Sequence, residues 1–152
     1  MIRHNPGQIL RSWCVLVFQL PRLPEAMLQR RGFAPVRRYL TESSALGTFS
    51  DADLDRLAAD WARLGVMTAM LSYYRALRRK SRREPTRVAP RTLVLWGGQD
   101  RFLSRAMFDA SLATCVNGTG LWIEEATHWL HLERPECVAE AILRCFRGTD
   151  VS

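Results

Sequence analysis

The sequence predicts an α/β chain in which a group of short helices is followed by a β-α-β-α segment. Three observations carry that expectation. The first half places apolar residues at helical spacing between helix start and stop signals. "RTLVLWGGQD" is a short continuous apolar run ended by a Gly-Gly turn, the form of a parallel strand covered on both faces. "GLWIEEA" is a second such run, and a helical pattern follows each of them.

In chain order, "LPEAMLQRRGF" offers Pro24 as a first helical residue, good helix formers and Gly32 as a C-terminal stop. Ser50, with Asp53 three residues later, forms a shortened capping box. It opens a helix that carries Leu54, Leu57, Ala58, Trp61 and Leu64 on one side and closes at Gly65. Another helix is expected from Val66 to about Arg79, with Met67, Met70, Leu71, Tyr74 and Leu77 on its apolar side. The texture changes after Pro90. A strand over "RTLVLWGG" leads to a helix over "FLSRAMFDASLATC", a strand over "GLWIEEA", and a closing helix over "RPECVAEAILRCFRG". Pro135 starts that last helix, and Val138, Ala141, Ile142 and Cys145 face inward. The basic run and "EPTRVAPR" divide a helical region, residues 1–84, from an α/β segment, residues 85–152. Two strands are few for a parallel sheet, which normally carries about five or six. The helices expected at 105–115 and 135–146 therefore leave apolar surface uncovered.

Composition sets the class. With 152 residues, 47% of them apolar, the chain has the size of one domain, and disordered or collagen-like classes are excluded. The 22 basic residues, nearly all Arg, exceed 15 acidic ones for a net charge of +7. The excess is local, in "RALRRKSRRE" from Arg75 to Glu84, and reads as a solvated linker or helix end. No helix-turn-helix, zinc-finger or RNP pattern accompanies it, so nucleic acid is not the expected partner. Cys14, Cys115, Cys137 and Cys145 show no CxxC spacing and read as small buried hydrophobes of a reducing compartment. "MIRHNPGQIL" lacks the apolar core of a signal peptide, and "WCVLVF" is too short to cross a bilayer. A soluble, cytoplasmic protein without a membrane partner is expected.

Chemistry concentrates after the two strands. Asp100 follows the first and His128 the second, and ligand sites of open parallel sheets lie outside the carboxyl ends of the strands. An acid that orients a histidine base is the supporting pair of a nucleophilic hydrolase triad. The alternative for Asp100 is a turn residue that caps the helix starting near Ser104. For His128 it is an exposed loop histidine. His131 is a competing base, and "HWLH" also admits a metal pair. A metal would need a further ligand, and His4 is the other histidine of the chain.

"RTLVLWGGQDRFLS" followed by "IEEATHWLHLERPECVAEAIL" resembles the C-terminal part of an α/β-hydrolase-fold protein, of the epoxide hydrolase branch near the haloalkane dehalogenases. The family pattern matches at Gly97, Asp100, His128, Trp129 and Leu132 to Glu136. Upstream, "SWCVLVFQLPRLPE" and "AMLSYYRALRR" resemble the family's helical cap. The resemblance implies that residues 1–84 are cap, that His128 is the general base and Asp100 the acid holding it, and that Tyr74 donates to the epoxide oxygen. A second cap tyrosine is implied where Cys14 stands, and a thiol is a poor donor. No cofactor is implied, and the substrate class is a small apolar epoxide. The family's nucleophile is an Asp in a Gly-x-Asp-x-Gly elbow. Neither that motif nor Gly-x-Ser-x-Gly nor His-Gly occurs in the 152 residues. The expectation is an epoxide hydrolase-like chain inactive by itself. The alternative is a non-catalytic or split-enzyme partner whose sheet is completed by a second chain or by another copy of itself.

Overall fold

In a computed structural model of the chain, residues 13–76 and 87–149 are described. They fall into two units, one within Ser12–Arg82 and one within Arg83–Ser152.

The first unit is helical, with α1 Trp13–Val17, α2 Leu23–Leu28, α3 Arg30–Ser43, α4 Asp51–Trp61 and α5 Val66–Ala76. Pro24 takes a first-turn position of α2, where the N–H it lacks would have no partner, and its side chain is fully buried. Gly32 is not the stop expected of it. The chain kinks through Arg31, Gly32 and Phe33, all at positive φ, and a helix then runs on to Ser43. Pro35 lies in the first turn after the kink, so it is tolerated there. This helix has no counterpart in the sequence reading; it buries Leu40, and Phe33 at its base meets Trp61 of α4 with ring centroids 5.8 Å apart. An Arg37–Asp55 ion pair also joins α3 to α4.

α4 starts with the expected capping box: the Ser50 hydroxyl accepts from the Asp53 N–H at 3.2 Å, and Asp53 accepts from the Ser50 N–H at 3.1 Å. Leu54 and Trp61 are buried, but the helix ends at Trp61 rather than at Gly65, and Leu64 lies beyond its end, fully exposed. On α5, Met67 and Leu71 are buried, whereas Met70 and Tyr74 are partly exposed. Leu77 and the remainder of the basic run lie outside the described residues. Arg75, the first basic residue of that run, is not merely solvated. Its guanidinium donates to the carbonyls of Phe18 and Leu20 at 3.0 and 2.9 Å and pairs with Glu25 at 2.8 Å. The Arg75 bond lowers the Glu25 pKa against a smaller opposing effect of burial.

The second unit is β1 Val88–Gly97, α6 Arg105–Thr114, β2 Cys115–Ile123, α7 Leu130–Glu133 and α8 Pro135–Arg147. β1 and β2 pair in parallel, with Leu95 opposite Leu121, Trp96 opposite Trp122 and Gly97 opposite Ile123. β1 starts earlier than expected, and its ladder is interrupted between Val88 and Arg91, where Pro90 has no N–H to give. β2 also starts earlier than expected, at Cys115, and runs through "NGTG". Those glycines serve packing: a Cβ at Gly120 would stand 2.6 Å from Phe108 of α6, and one at Gly118 3.0 Å from Leu112. Phe108 is buried between Trp96 and Trp122, at 5.9 and 5.4 Å. α8 begins at Pro135 and ends at Gly148 in the left-handed conformation. Ala141 is buried, but Ile142, expected inward, is 40% exposed, beside Leu143 and an 86% exposed Phe146. Cys115 and Cys145 are half-buried and Cys137 exposed, so none of these three is the buried hydrophobe expected; the Cys14 side chain lies outside the description. No helix among the described residues is long and apolar enough to cross a membrane.

Candidate active site

Both strands end at one edge of the sheet, and the loops that follow them are bonded together. The Gly98 N–H donates to the Ile123 carbonyl at 2.7 Å and the Gln99 N–H to the Ala126 carbonyl at 2.9 Å. The loops approach so closely that a Cβ at Gly97 would fall 2.1 Å from the Thr127 carbonyl oxygen. Only glycine fits there. This accounts for the Gly-Gly turn better than its bend alone does.

The turn delivers Asp100, closed by its N–H to the Gly97 carbonyl at 3.2 Å. One carboxylate oxygen accepts from the N–H groups of Phe102 and Leu103, at 2.7 and 2.9 Å; the other lies 2.9 Å from Nδ1 of His128. One oxygen thus serves the turn and the other faces the histidine; Asp100 does not cap α6, whose N-cap is Ser104. Burial, the strongest single influence, pushes the Asp100 carboxyl up. The bonds from His128, Leu103 and Phe102 together outweigh it and leave the pKa below the ordinary carboxylate value. An ionised carboxylate can only accept, so Nδ1 of His128 carries the proton of this bond. The side chain of Asp100 is 6% exposed and that of His128 39%, so the acid is shielded while the imidazole reaches open space. Phe102 and Trp129 meet the imidazole edge to face at 5.2 and 5.6 Å.

The loop before His128 is held by contacts that the motif does not reveal. Ala126 is fully buried, and Thr127 donates its N–H and its hydroxyl to the two oxygens of Glu133, at 2.7 and 2.6 Å. A threonine and a glutamate six residues apart carry no periodic signal; only the turn into α7 brings them together. His131 is exposed on α7, its ring 6.5 Å from Trp129, and Asp100 meets His128 instead. Among the described residues no group of three or more His, Cys, Asp and Glu converges on a common point.

Tyr74 belongs to the helical unit. Its ring packs on Phe18 at 5.1 Å and on Tyr73 at 5.7 Å, and its carbonyl accepts from Gln19 at 3.1 Å. It thus packs on the segment that follows α1.

Comparison with known proteins adds relatives for the whole arrangement. The chain is 36% identical over 144 residues to the AB hydrolase superfamily protein YfhM of Bacillus subtilis, a match that covers 94% of this chain and 50% of that protein. Epoxide hydrolase 3 of Xenopus tropicalis is 30% identical over 152 residues, with 96% and 41% covered. Among solved structures, a Bacillus megaterium epoxide hydrolase in complex with an inhibitor superposes with a TM-score of 0.80 at 22% identity, covering 96% of this chain and 55% of that one. The chain has the α/β-hydrolase fold and is epoxide hydrolase-like. Cfl2 of Burkholderia cenocepacia shares the fold with a TM-score of 0.76 at 24% identity, over 93% of this chain and 49% of that one. No protein-family model matches. The chain spans about half the length of the curated relatives it matches. Its fold is the C-terminal portion of an α/β hydrolase, in which the ends of β1 and β2 carry Asp100 and His128.

Proposed function

We propose that this chain supplies the acid and base of an epoxide hydrolase, acting on a small apolar epoxide in the cytoplasm. In the reaction, an aspartate carboxylate attacks a ring carbon, forming an ester C–O bond as the ring C–O bond breaks. The ring oxygen takes a proton from the Tyr74 hydroxyl. Nε2 of His128 then removes a proton from water, whose oxygen adds to the ester carbonyl. The ester C–O bond breaks, the departing alkoxide takes the proton of the carboxyl group that the added water leaves, the imidazolium proton returns to the Tyr74 phenolate, and the nucleophile is again a carboxylate. Asp100 holds the imidazole in the tautomer this needs and stabilises the imidazolium. Residues 1–84 act as the cap and 85–152 as the core segment of that site. The observation that carries the reading is the 2.9 Å Asp100–His128 bond to a carboxylate held ionised at a strand end.

No Gly-x-Asp-x-Gly elbow occurs in the 152 residues, so the chain alone forms no alkyl-enzyme ester and is inactive. The test is epoxide turnover by the purified chain, alone and co-expressed with a polypeptide that carries such an elbow. Turnover is expected only with the second polypeptide, and its loss in His128→Ala. Turnover by the chain alone overturns the inactivity, and turnover that survives His128→Ala overturns the base.

A second reading is favoured by the sheet. Among the described residues β1 pairs only with β2, so each strand keeps one free edge that can add a strand from another chain. In this reading the chain is a non-catalytic or split-enzyme partner, or a homo-oligomer. A folded, stable monomer in light scattering would count against it.

A further inference from the structure

We propose that Glu133 is a positioning residue for His128, acting through Thr127. The inference deepens the reading of Asp100 and His128 as an acid–base pair and rests on it.

The Asp100 bond fixes only the Nδ1 end of the imidazole. The direction of Nε2 also depends on the backbone from which the ring hangs, that is, on residues 127 to 129. The Glu133 carboxylate spends both oxygens on one residue of that stretch, the Thr127 N–H at 2.7 Å and the Thr127 hydroxyl at 2.6 Å. The hydroxyl in turn accepts from the Trp129 N–H at 3.2 Å, so a single side chain brackets His128 from both neighbours. Thr127 is buried, which keeps water from replacing either bond. Beneath it, the Thr127 carbonyl lies against Gly97 and the Ala126 carbonyl accepts from Gln99 at 2.9 Å. The loop that carries the base is thereby tied to the loop that carries the acid. Without Glu133, two buried donors of Thr127 lose their acceptors, and the backbone before His128 must turn to find others. The ring would then leave Asp100 for part of the time. An ionised carboxylate suits this position because both of its oxygens accept and neither donates.

The test reads the His128 Nδ1–H directly by NMR on the chain labelled with 15N-histidine, and it needs no activity. The native chain is expected to show a downfield, slowly exchanging Nδ1–H signal, and Asp100→Asn to abolish it. Glu133→Ala should speed its exchange with water by about tenfold or more, the scale of one charge-assisted hydrogen bond lost to local opening. The amide signals of residues 137–147 in α8 should stay in place. Glu133→Gln, whose one carbonyl oxygen still accepts from the Thr127 N–H, and Thr127→Val, which removes the hydroxyl alone, should each give a smaller rise. These two variants decide the matter if the alanine variant does not fold. A signal that Asp100→Asn abolishes but that none of the Glu133 and Thr127 variants alters overturns the positioning role and leaves the acid–base pair standing. A native chain with no such signal overturns both.

Discussion

The two units solve the same problem to different degrees. In the helical unit the joints are closed, though Leu16, Leu46, Leu64 and Tyr73 stand exposed on its surface: a full capping box starts α4, Phe33 meets Trp61 across the α3–α4 packing, and Arg75 ties the end of α5 to the Phe18–Glu25 segment. In the β-α-β-α unit, the apolar flank is open, with Phe146, Leu143 and Val116 all more than half exposed, whereas the polar end of the sheet is closed. Asp100 accepts from Phe102, Leu103 and His128, Glu133 accepts from Thr127, and the glycine turn fits against the loop before His128. The edge that carries Asp100 and His128 is therefore set by hydrogen bonds within two loops, while the width of the sheet behind it contributes chiefly stability.

The largest expected effect breaks the closed end. Gly97→Ala places a Cβ 2.1 Å from a backbone oxygen that cannot move without the His128 loop, and should cost about 3 kcal/mol or more in urea unfolding of the α/β unit. Gly65→Ala, at a positive φ with nothing within 4 Å, should cost only about 1 kcal/mol, all of it backbone strain in the helical unit. Equal effects at the two positions would mean that the loops are not wedged together.

Next comes the interior of the helical unit. Leu71 is 2% exposed, and Leu71→Ala should remove about 3 kcal/mol by the burial lost and the cavity left. A loss below about 1 kcal/mol would show that this unit collapses around the gap and is less firmly packed than the loops.

Acid sharpens the contrast through Asp100. Its folded pKa lies below the ordinary carboxylate value of about 3.9, so the stabilisation it brings is fully present above that value and is lost as pH falls through the lower folded value. Asp100→Asn should therefore cost on the order of 1–2 kcal/mol at neutral pH, with the gap to the native chain constant down to about pH 5 and closing below about pH 4. Glu25, lowered chiefly by its bond to Arg75, gives the helical unit an acid limb of the same sign. Glu25→Gln should flatten that limb and leave the limb of the α/β unit unchanged, as read by tryptophan fluorescence against pH.

These contrasts also explain what the sequence makes legible. The strand ends, the Asp100 and His128 positions and the α4 capping box depend on local patterns, and local patterns persist in the fold. The helix beyond Gly32 was hidden because a left-handed glycine usually ends a helix, whereas here Arg31 and Phe33 share its conformation and the chain winds on past Pro35. The start of β2 was hidden because Asn117 to Gly120 lie outside the apolar run, and the ring of Phe108 that fills the space the glycines leave is brought there only by the fold. Arg75 reads as one charge in a basic run until the carbonyls of Phe18 and Leu20 are placed beside it. Glu133 is hidden for the same reason, since its partner is fixed by a turn and not by a period.

The smallest expected effect on stability falls on the open flank. Phe146 is 86% exposed near the end of α8, close in sequence to Leu143 at 51% and Ile142 at 40%. Removing so little buried area changes little, so Phe146→Ser should shift the unfolding free energy by no more than about 0.5 kcal/mol. Its effect should appear in association instead, because an exposed apolar patch is relieved by contact with a second chain. Light scattering at rising concentration should show the native chain associating more than Phe146→Ser does. Association that is equal in both, with stability equal too, would place the contact at the free strand edges and not at α8. A Phe146→Ser variant that unfolds readily would instead show that the flank is covered within the chain, and the contrast between the two units would then narrow to their loops.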